Sequence, residues 1–291
     1  MNDFVLSILL GIVEGLTEFL PVSSTGHLRI VEWLLHLNLH DSFWKMYTIV
    51  IQLGAILALP VYFWNRILKF LGTFPNGERG DRNFLTHPLS LTIIAFVVTA
   101  VPAWALVKVI GKNLESLWVI AIALLVGGII MWIVDATFTR PRVTNMEEMS
   151  LPQAIWIGAC QILSAVFPGT SRSMSTIAAG QIVGMSRPAA LEFSFFLSMP
   201  TMVVATLYDL YKTLKPSRDT INEGNLAPLA MNTHEWIVLG IGFLVSFIVA
   251  WVVVAWFMNW VRNRGFVPFA VYRIALGILL IVLLMGGVAQ T

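Results

Sequence analysis

The sequence is short of charge and almost without cysteine. Only 12% of its 291 residues are Asp, Glu, Lys or Arg, against 57% hydrophobic, where an ordinary soluble domain carries about 25% charged residues. So little charge cannot coat a soluble surface. This excludes the pair of soluble domains that length alone would permit, and it excludes a disordered chain, which needs low hydrophobicity and high charge. Net charge is +2, so no broad basic face exists and nucleic acid is excluded as a partner. The single cysteine, Cys160, excludes an intramolecular disulfide framework and any multi-cysteine metal site; it reads most simply as a small core residue. No basic stretch precedes the first apolar segment, so no cleavable signal peptide is expected. A polytopic, all-α membrane protein remains. The mean hydropathy of +0.81, with 11 Trp and 18 Phe, fits that class.

Windows free of charge locate the spans. Met46–Trp64, Phe84–Val107, Ser116–Val134 and Trp236–Val261 contain no acid, Lys or Arg, and each approaches or exceeds the roughly 20 residues that cross a bilayer. Phe193–Tyr208 is shorter but apolar enough to span. Pro268–Gly286 is interrupted only by Arg273. Two further apolar stretches are broken. Phe4–Leu20 carries Glu14 and Glu18, and Leu151–Gly184 is split by Pro168-Gly169 and Arg172. Both read as re-entrant elements, tolerated at membrane depth only where protein buries them or a wet cavity meets them.

The broken stretches resemble each other. Gly11-Ile-Val-Glu-Gly-Leu-Thr-Glu-Phe-Leu-Pro-Val-Ser-Ser24 lies over Gly158-Ala-Cys-Gln-Ile-Leu-Ser-Ala-Val-Phe-Pro-Gly-Thr-Ser171 without a gap. At an offset of 147 residues, Pro21 falls on Pro168 and Ser24 on Ser171. Coincidence between two Pro-broken apolar helices is the plainer account, but paired broken segments in corresponding halves point to a site at a repeat interface. The expected architecture is one integral membrane domain over 1–291, an inverted-topology repeat with halves at about 1–140 and 150–291. The loops at 65–83, 138–150 and 261–265 are rich in Arg and Lys, so they are placed in the cytoplasm. The 111–115 and 212–235 loops then face outward, although Lys212, Lys215 and Arg218 weigh against that side.

Glu14 and Glu18 stand one helical turn apart on a single face. Two like charges in a membrane segment are expensive. They suit a divalent cation held together with substrate phosphate, since magnesium takes one or two carboxylates plus phosphate oxygens, or they suit the orientation of a nucleophile. An interfacial helix with both carboxylates in water is the alternative. Ser23, Ser24 and Thr25 follow the helix-ending Pro21 and supply three hydroxyls, Gly26 permits a tight turn, and His27 exchanges protons near neutral pH. Taken alone, that cluster reads as an ordinary helix cap. In the second half, Pro168-Gly169 breaks the helix before a new helical N-terminus, whose free N–H groups favour an anion. Arg172 adds a planar fork suited to phosphate, and Thr170, Ser171, Ser173 and Thr176 can complete a cradle with Gly169. An arginine snorkelling to the membrane surface is the alternative, but acids and His from one half with an anion cradle from the other favour phosphate.

Other residues carry less. Arg187 and Glu192 suggest capping or ion pairs. Arg273 suits an interface anchor before a second phosphate contact. His36, His40, His87 and His234 lie near segment ends and are expected to be solvated.

Glu14-Gly-Leu-Thr-Glu-Phe-Leu-Pro-Val-Ser-Ser-Thr-Gly-His27 and Pro168-Gly-Thr-Ser-Arg-Ser173 resemble the two signatures of the bacterial undecaprenyl-diphosphatase family, the bacitracin-resistance (BacA) type. Gln52-Leu-Gly-Ala-Ile56, Ser186-Arg187 with Glu192-Phe-Ser-Phe195, and Phe266-Val-Pro-Phe-Ala-Val-Tyr-Arg273 continue the resemblance in order along the chain. The resemblance implies a hydrolase of the bacterial cytoplasmic membrane, with its site open to the outer side. It would remove the terminal phosphate of undecaprenyl diphosphate and so recycle the lipid carrier for peptidoglycan and other envelope polymers. Mg2+ or Ca2+ is the implied cofactor. Glu18, Ser24, His27 and Arg172 would be catalytic, Glu14 and Glu18 would hold the metal, and Ser23, Thr25, Gly169, Thr170, Ser171, Ser173 and Thr176 would bind substrate. Undecaprenyl diphosphate and membrane lipid are the expected partners, and a homodimer is compatible with the sequence. Met174 stands where the family usually has Gly, and it would crowd the phosphate cradle if that Gly lets phosphate approach the backbone. The PAP2 phosphatase type fits poorly, because no His follows Arg172 before His234. A transporter or flippase for an anionic lipid is the rival, since broken helices are also a transporter device; it would need no nucleophile or proton relay. A structural scaffold leaves the membrane-embedded charges unexplained.

Overall fold

The computed structural model describes residues 2–35, 37, 41–106, 116–214 and 231–286. The expectations for His36, His40, the 111–115 loop, Lys215 and Arg218 lie outside the described residues. Among those described, the helices are α1 (Asp3–Thr17), α2 (Ser24–Leu34), α3 (Ser42–Tyr62), α4 (Trp64–Thr73), α5 (Pro88–Ala105), α6 (Leu117–Thr137), α7 (Leu151–Val166), α8 (Arg172–Ile182), α9 (Arg187–Leu214), α10 (Thr233–Asn263) and α11 (Val267–Met285). Six of them (α3, α5, α6, α9, α10 and α11) are long and apolar enough to cross a membrane. The chain is an all-α, multi-pass membrane protein.

The charge-free windows fall on these six helices, with two differences. The stretch 65–83 is not all loop, because α4 occupies Trp64–Thr73. The helix around Phe193–Tyr208 is longer than its charge-free core and runs unbroken through Pro200. The charges on its N-terminal side are paired. Glu192 accepts a hydrogen bond from Arg66 Nε at 2.7 Å, and Arg187 Nε donates to Asp135 at 2.6 Å. Arg187 and Glu192 therefore serve as ion-pair partners, as expected from their position.

These pairs gather the basic loops at one end of the bundle. Arg66 also reaches Glu147, Arg142 N–H donates to the Gly184 carbonyl, and Asp135 accepts from Phe266 N–H. His87 corrects the sequence expectation. It is fully buried at this end, where it caps α5 and meets the Phe70 and Phe74 rings edge-on. His234 lies at the opposite end, half exposed and 3.0 Å from Asp3.

The two broken stretches are helical hairpins, α1–α2 and α7–α8. The first begins beside the start of α10, where Ser7 Oγ donates to the Val238 carbonyl. The second begins at the basic end, where Arg82 donates to the Met149 carbonyl. Helix α10, 31 residues long, spans about 45 Å at 1.5 Å per residue, from beside the first entry to the basic end, where Phe266 N–H meets Asp135. The hairpins enter from opposite ends and their tips meet in the interior. Packing is exchanged between the halves: α1 lies on α10, and α7 on α5.

The gapless alignment needs one correction. Helix starts Asp3 and Leu151, starts Ser24 and Arg172, and ends Leu34 and Ile182 are each 148 residues apart. Pro21 and Pro168 are 147 residues apart, so the two prolines sit one residue differently relative to helices that otherwise keep a constant offset. Ser23, not Ser24, is the counterpart of Ser171. Both cap the second helix of their hairpin, and both adopt positive φ, at 76° and 69°. Such backbone costs about 1–3 kcal/mol per non-glycine residue. Their hydroxyls accept from the N–H groups of Gly26 and Met174. Ser24 and Arg172 thereby become equivalent positions, each the first residue of a helix.

Candidate active site

The hairpin tips converge on Glu18. It follows the last residue of α1, and its N–H still bonds to the Glu14 carbonyl at 2.9 Å. Ser24 Oγ donates to Glu18 Oε2 at 2.5 Å, and Arg172 Nη2 donates to Glu18 Oε1 at 2.8 Å. One carboxylate thus joins the first residues of both second helices. Glu18 is 6% exposed and Ser24 8%, so the contact is shielded from bulk water. Two further buried nitrogens of Arg172, Nε and Nη1, have no partner, and neither carboxylate oxygen of the fully buried Glu14 has one. Buried polar atoms are ordinarily satisfied. Orphaned guanidinium and carboxylate groups at one locus are what a bound phosphate and a cation would complete.

Among the described residues no group of three or more His, Cys, Asp or Glu could hold a metal by itself. Two carboxylates on one helix turn still suit a magnesium-type ion that takes its remaining ligands from substrate phosphate and water.

Arg273 does not anchor at the interface. It is fully buried, and it donates from Nη1 to the Pro21 carbonyl at 3.2 Å and from Nη2 to the carbonyls of Ala123 and Gly169 at 3.0 Å each. One guanidinium therefore ties both tips to each other and to α6. Ser173 adds a second tie, donating to the Leu20 carbonyl at 3.0 Å. Two glycines make room. Gly169 has φ +93° against Ile120, and a side chain at Gly127 would meet the Arg273 guanidinium and the Met174 terminal methyl.

His27 stands apart from the Glu18 cluster. Its Nδ1 lies 2.7 Å from the Ser23 carbonyl, and its Nε2 lies 2.6 Å from the Tyr272 hydroxyl. A carbonyl only accepts, so Nδ1 carries the hydrogen and the Tyr272 O–H donates to Nε2. The rings stack with centroids 5.5 Å apart. Thr25 is half-buried beside this pair in the chain, and Thr170 and Ser171 are half-buried at the second tip. The Thr176 hydroxyl is committed elsewhere, 2.6 Å from Ser194 Oγ on α9 and bonded to the carbonyls of Arg172 and Ser173. Met174 does not turn toward Glu18. It is 3% exposed and packs toward α6, beside Gly127.

Tyr272 and the clamp formed by Arg273 were not assigned from sequence. The signal for Arg273 was an arginine within an otherwise uncharged span, which marks a functional site by default. Tyr272→Phe is expected to lower turnover about tenfold by releasing the imidazole, and to cost nothing further in a His27→Ala background. Steady-state kinetics of the two single variants and the double variant check this.

Comparison with known proteins identifies the family. The family model described as bacitracin resistance protein BacA matches residues 7–279. The chain belongs to the BacA family. A relative from Koribacter versatilis (strain Ellin345), named undecaprenyl-diphosphatase, is 65% identical over 279 residues, 96% of this chain and 97% of its own length. Relatives bearing the same name are 40% identical in Caldanaerobacter subterraneus subsp. tengcongensis, over 100% of this chain and 99% of theirs, and 42% identical in Bradyrhizobium sp. (strain ORS 278), over 98% and 99%. The Glu18–Ser24–Arg172 junction is thus a feature of a BacA-family protein.

Proposed function

We propose that this BacA-family protein is an undecaprenyl-diphosphatase of the bacterial cytoplasmic membrane, hydrolysing undecaprenyl diphosphate to undecaprenyl phosphate and inorganic phosphate. The observation that carries the reading is Glu18, bonded at once to a hydroxyl from one hairpin and a guanidinium from the other. A carrier for an anionic lipid has no use for a hydroxyl pressed against a buried carboxylate.

Arg172 binds the terminal phosphate through its unpartnered nitrogens and neutralises charge as the transition state forms. Substrate phosphate draws Arg172 toward itself, which frees Glu18 to take the proton of Ser24 Oγ. The Ser24 oxygen then attacks the terminal phosphorus. The bond from that phosphorus to the bridging oxygen breaks, and undecaprenyl phosphate leaves with the electron pair. Water hydrolyses the resulting phosphoserine to release inorganic phosphate. His27 takes the proton of that water at Nε2 as the Tyr272 hydroxyl gives way, while Nδ1–H holds the ring on the Ser23 carbonyl. Ser23, Thr25, Gly169, Thr170, Ser171 and Ser173 shape the phosphate cradle, and Thr176 supports it through α9. Glu14 and Glu18 would hold Mg2+ or Ca2+, which supplies further charge neutralisation at the phosphates.

The hairpins entering from opposite ends support an inverted-topology repeat with halves at about 1–140 and 150–291. The basic loops at the end where α7 begins support a cytoplasmic location for that end. The α1–α2 side then faces outward, and the site opens there.

The test is phosphate release from undecaprenyl diphosphate by the purified protein. Release is expected to stop with EDTA, to return with Mg2+ or Ca2+, and to fall about a hundredfold or more in Glu14→Gln. No release under any cation would reject the reading. A phosphoserine trapped at Ser24 by rapid quench would support the covalent route, and its absence during turnover would show that water attacks directly.

A further inference from the structure

Beside the turn that carries Arg172, the molecule has a preformed apolar concavity. It is a groove of about 510 Å³ between α6, α7 and α8, within the range of about 300–1,000 Å³ for ligand sites. No charged residue lines it. Its upper end is formed by Thr170, Met174 and Ser175, in the turn and first helical turn that carry Arg172. From Ser175 to Ile182 it runs about 10 Å down α8, at 1.5 Å per residue. Its rim residues Ile122, Val126, Leu163 and Phe167 are about half exposed on the outer surface of the bundle, the surface that meets lipid.

Comparison of the hairpins explains why the groove exists on one side. At the helix correspondence of 148 residues, His27, Ile30 and Val31 of α2 match Ser175, Ala178 and Ala179 of α8. In the first half His27 stacks on Tyr272, and Ile30 packs beside Leu280 of α11. In the second half three small side chains, with Gly127 on α6, leave that seam open.

We infer that the α6–α7–α8 groove seats the isoprenoid tail of the substrate next to the phosphate cradle, with Met174 as its floor and Cys160 on its wall. This rests on the diphosphatase reading above. Continuity with the Arg172 turn selects the occupant: Thr170 and Ser175, which flank Arg172 in the chain, line the upper end, so a lipid whose anionic head sits on Arg172 has its first apolar carbons beside the groove. A bilayer phospholipid, with no head in the cradle, has no such registration.

Cys160 is the chain's single cysteine and is half-buried in the groove wall, so it reports occupancy. In nanodiscs, a lipophilic maleimide alkylates it by adding the thiol S–H across the maleimide double bond. Saturating undecaprenyl phosphate is expected to slow labelling about tenfold or more, while inorganic diphosphate and phosphatidylglycerol leave it unchanged. Cys160→Trp, which fills the groove, is expected to raise KM about tenfold for undecaprenyl diphosphate and to leave isopentenyl diphosphate within about twofold. Equal protection by phosphatidylglycerol, no protection by undecaprenyl phosphate, or equal losses on the two substrates would overturn the inference. Protection of Cys160 in a protein that releases no phosphate would uphold the groove and reject the diphosphatase reading, so the two failures are separable.

Discussion

Arg172→Ala is expected to lower phosphate release from a polyprenyl diphosphate by about a thousandfold, the range seen when a charge-stabilising donor is removed from phosphoryl or acyl transfer. The argument starts from what Arg172 lacks. One of its terminal nitrogens meets Glu18, while Nε and Nη1 are buried and unpaired. A structural ion pair would satisfy more of the fork, so the unsatisfied edge is held for a ligand. Alanine removes that edge and leaves Glu18 bonded to Ser24 alone. Burial of the pair is incomplete on the arginine side, at 10% exposed, and water can enter the vacated space, so the protein should remain folded. Arg172→Lys should recover little, because an ammonium cannot reproduce a planar fork shared between a carboxylate and a phosphate. Phosphate-release assays on folded, monodisperse variants check both outcomes.

Arg273→Met is expected to damage stability and activity together. Its guanidinium satisfies the carbonyls of Pro21, Ala123 and Gly169, and a methionine of similar length satisfies none. The Ala123 carbonyl keeps its helical bond within α6, but the two tip carbonyls are left unpaired, at a cost of about 2 kcal/mol at about 1 kcal/mol each. Loss of the clamp also uncouples the tips, and misplacement of reacting groups by about 1 Å costs about a hundredfold in rate. Arg273→Lys should not restore either property, since a compact ammonium lacks the fork that bridges three elements. Thermal unfolding and turnover, measured on the same preparations, separate this variant from Arg172→Ala, which should lose rate with far less stability.

Much of this arrangement was legible in the residue order. Spans announce themselves because charge is costly in lipid, and the windows free of it fall on the helices. The hairpins were legible because Pro21 and Pro168 break apolar stretches that hold Glu14, Glu18 and Arg172. The register between them was not. Aligning the two prolines puts Ser24 over Ser171, whereas the helix starts and the shared positive φ put Ser23 over Ser171. The partners of Arg273 were hidden because backbone carbonyls leave no mark in a sequence. His87 was hidden for a related reason: a helix-capping imidazole under two phenylalanine rings looks, in sequence, like any histidine at a segment end. Met174 was read as an obstacle to phosphate because it stands where the family usually has Gly, and the sequence does not show that it packs toward Gly127 of α6.

The central claim is that two hairpins build one site at Glu18 and Arg172. A double-mutant cycle on phosphate release from undecaprenyl diphosphate tests it most directly, using Glu18→Gln, Arg172→Gln and the pair. Both single variants should lose most of the wild-type rate, and the double variant should be no slower than the worse single. Losses that multiply in the double variant, or a single variant that retains the wild-type rate, would contradict the account.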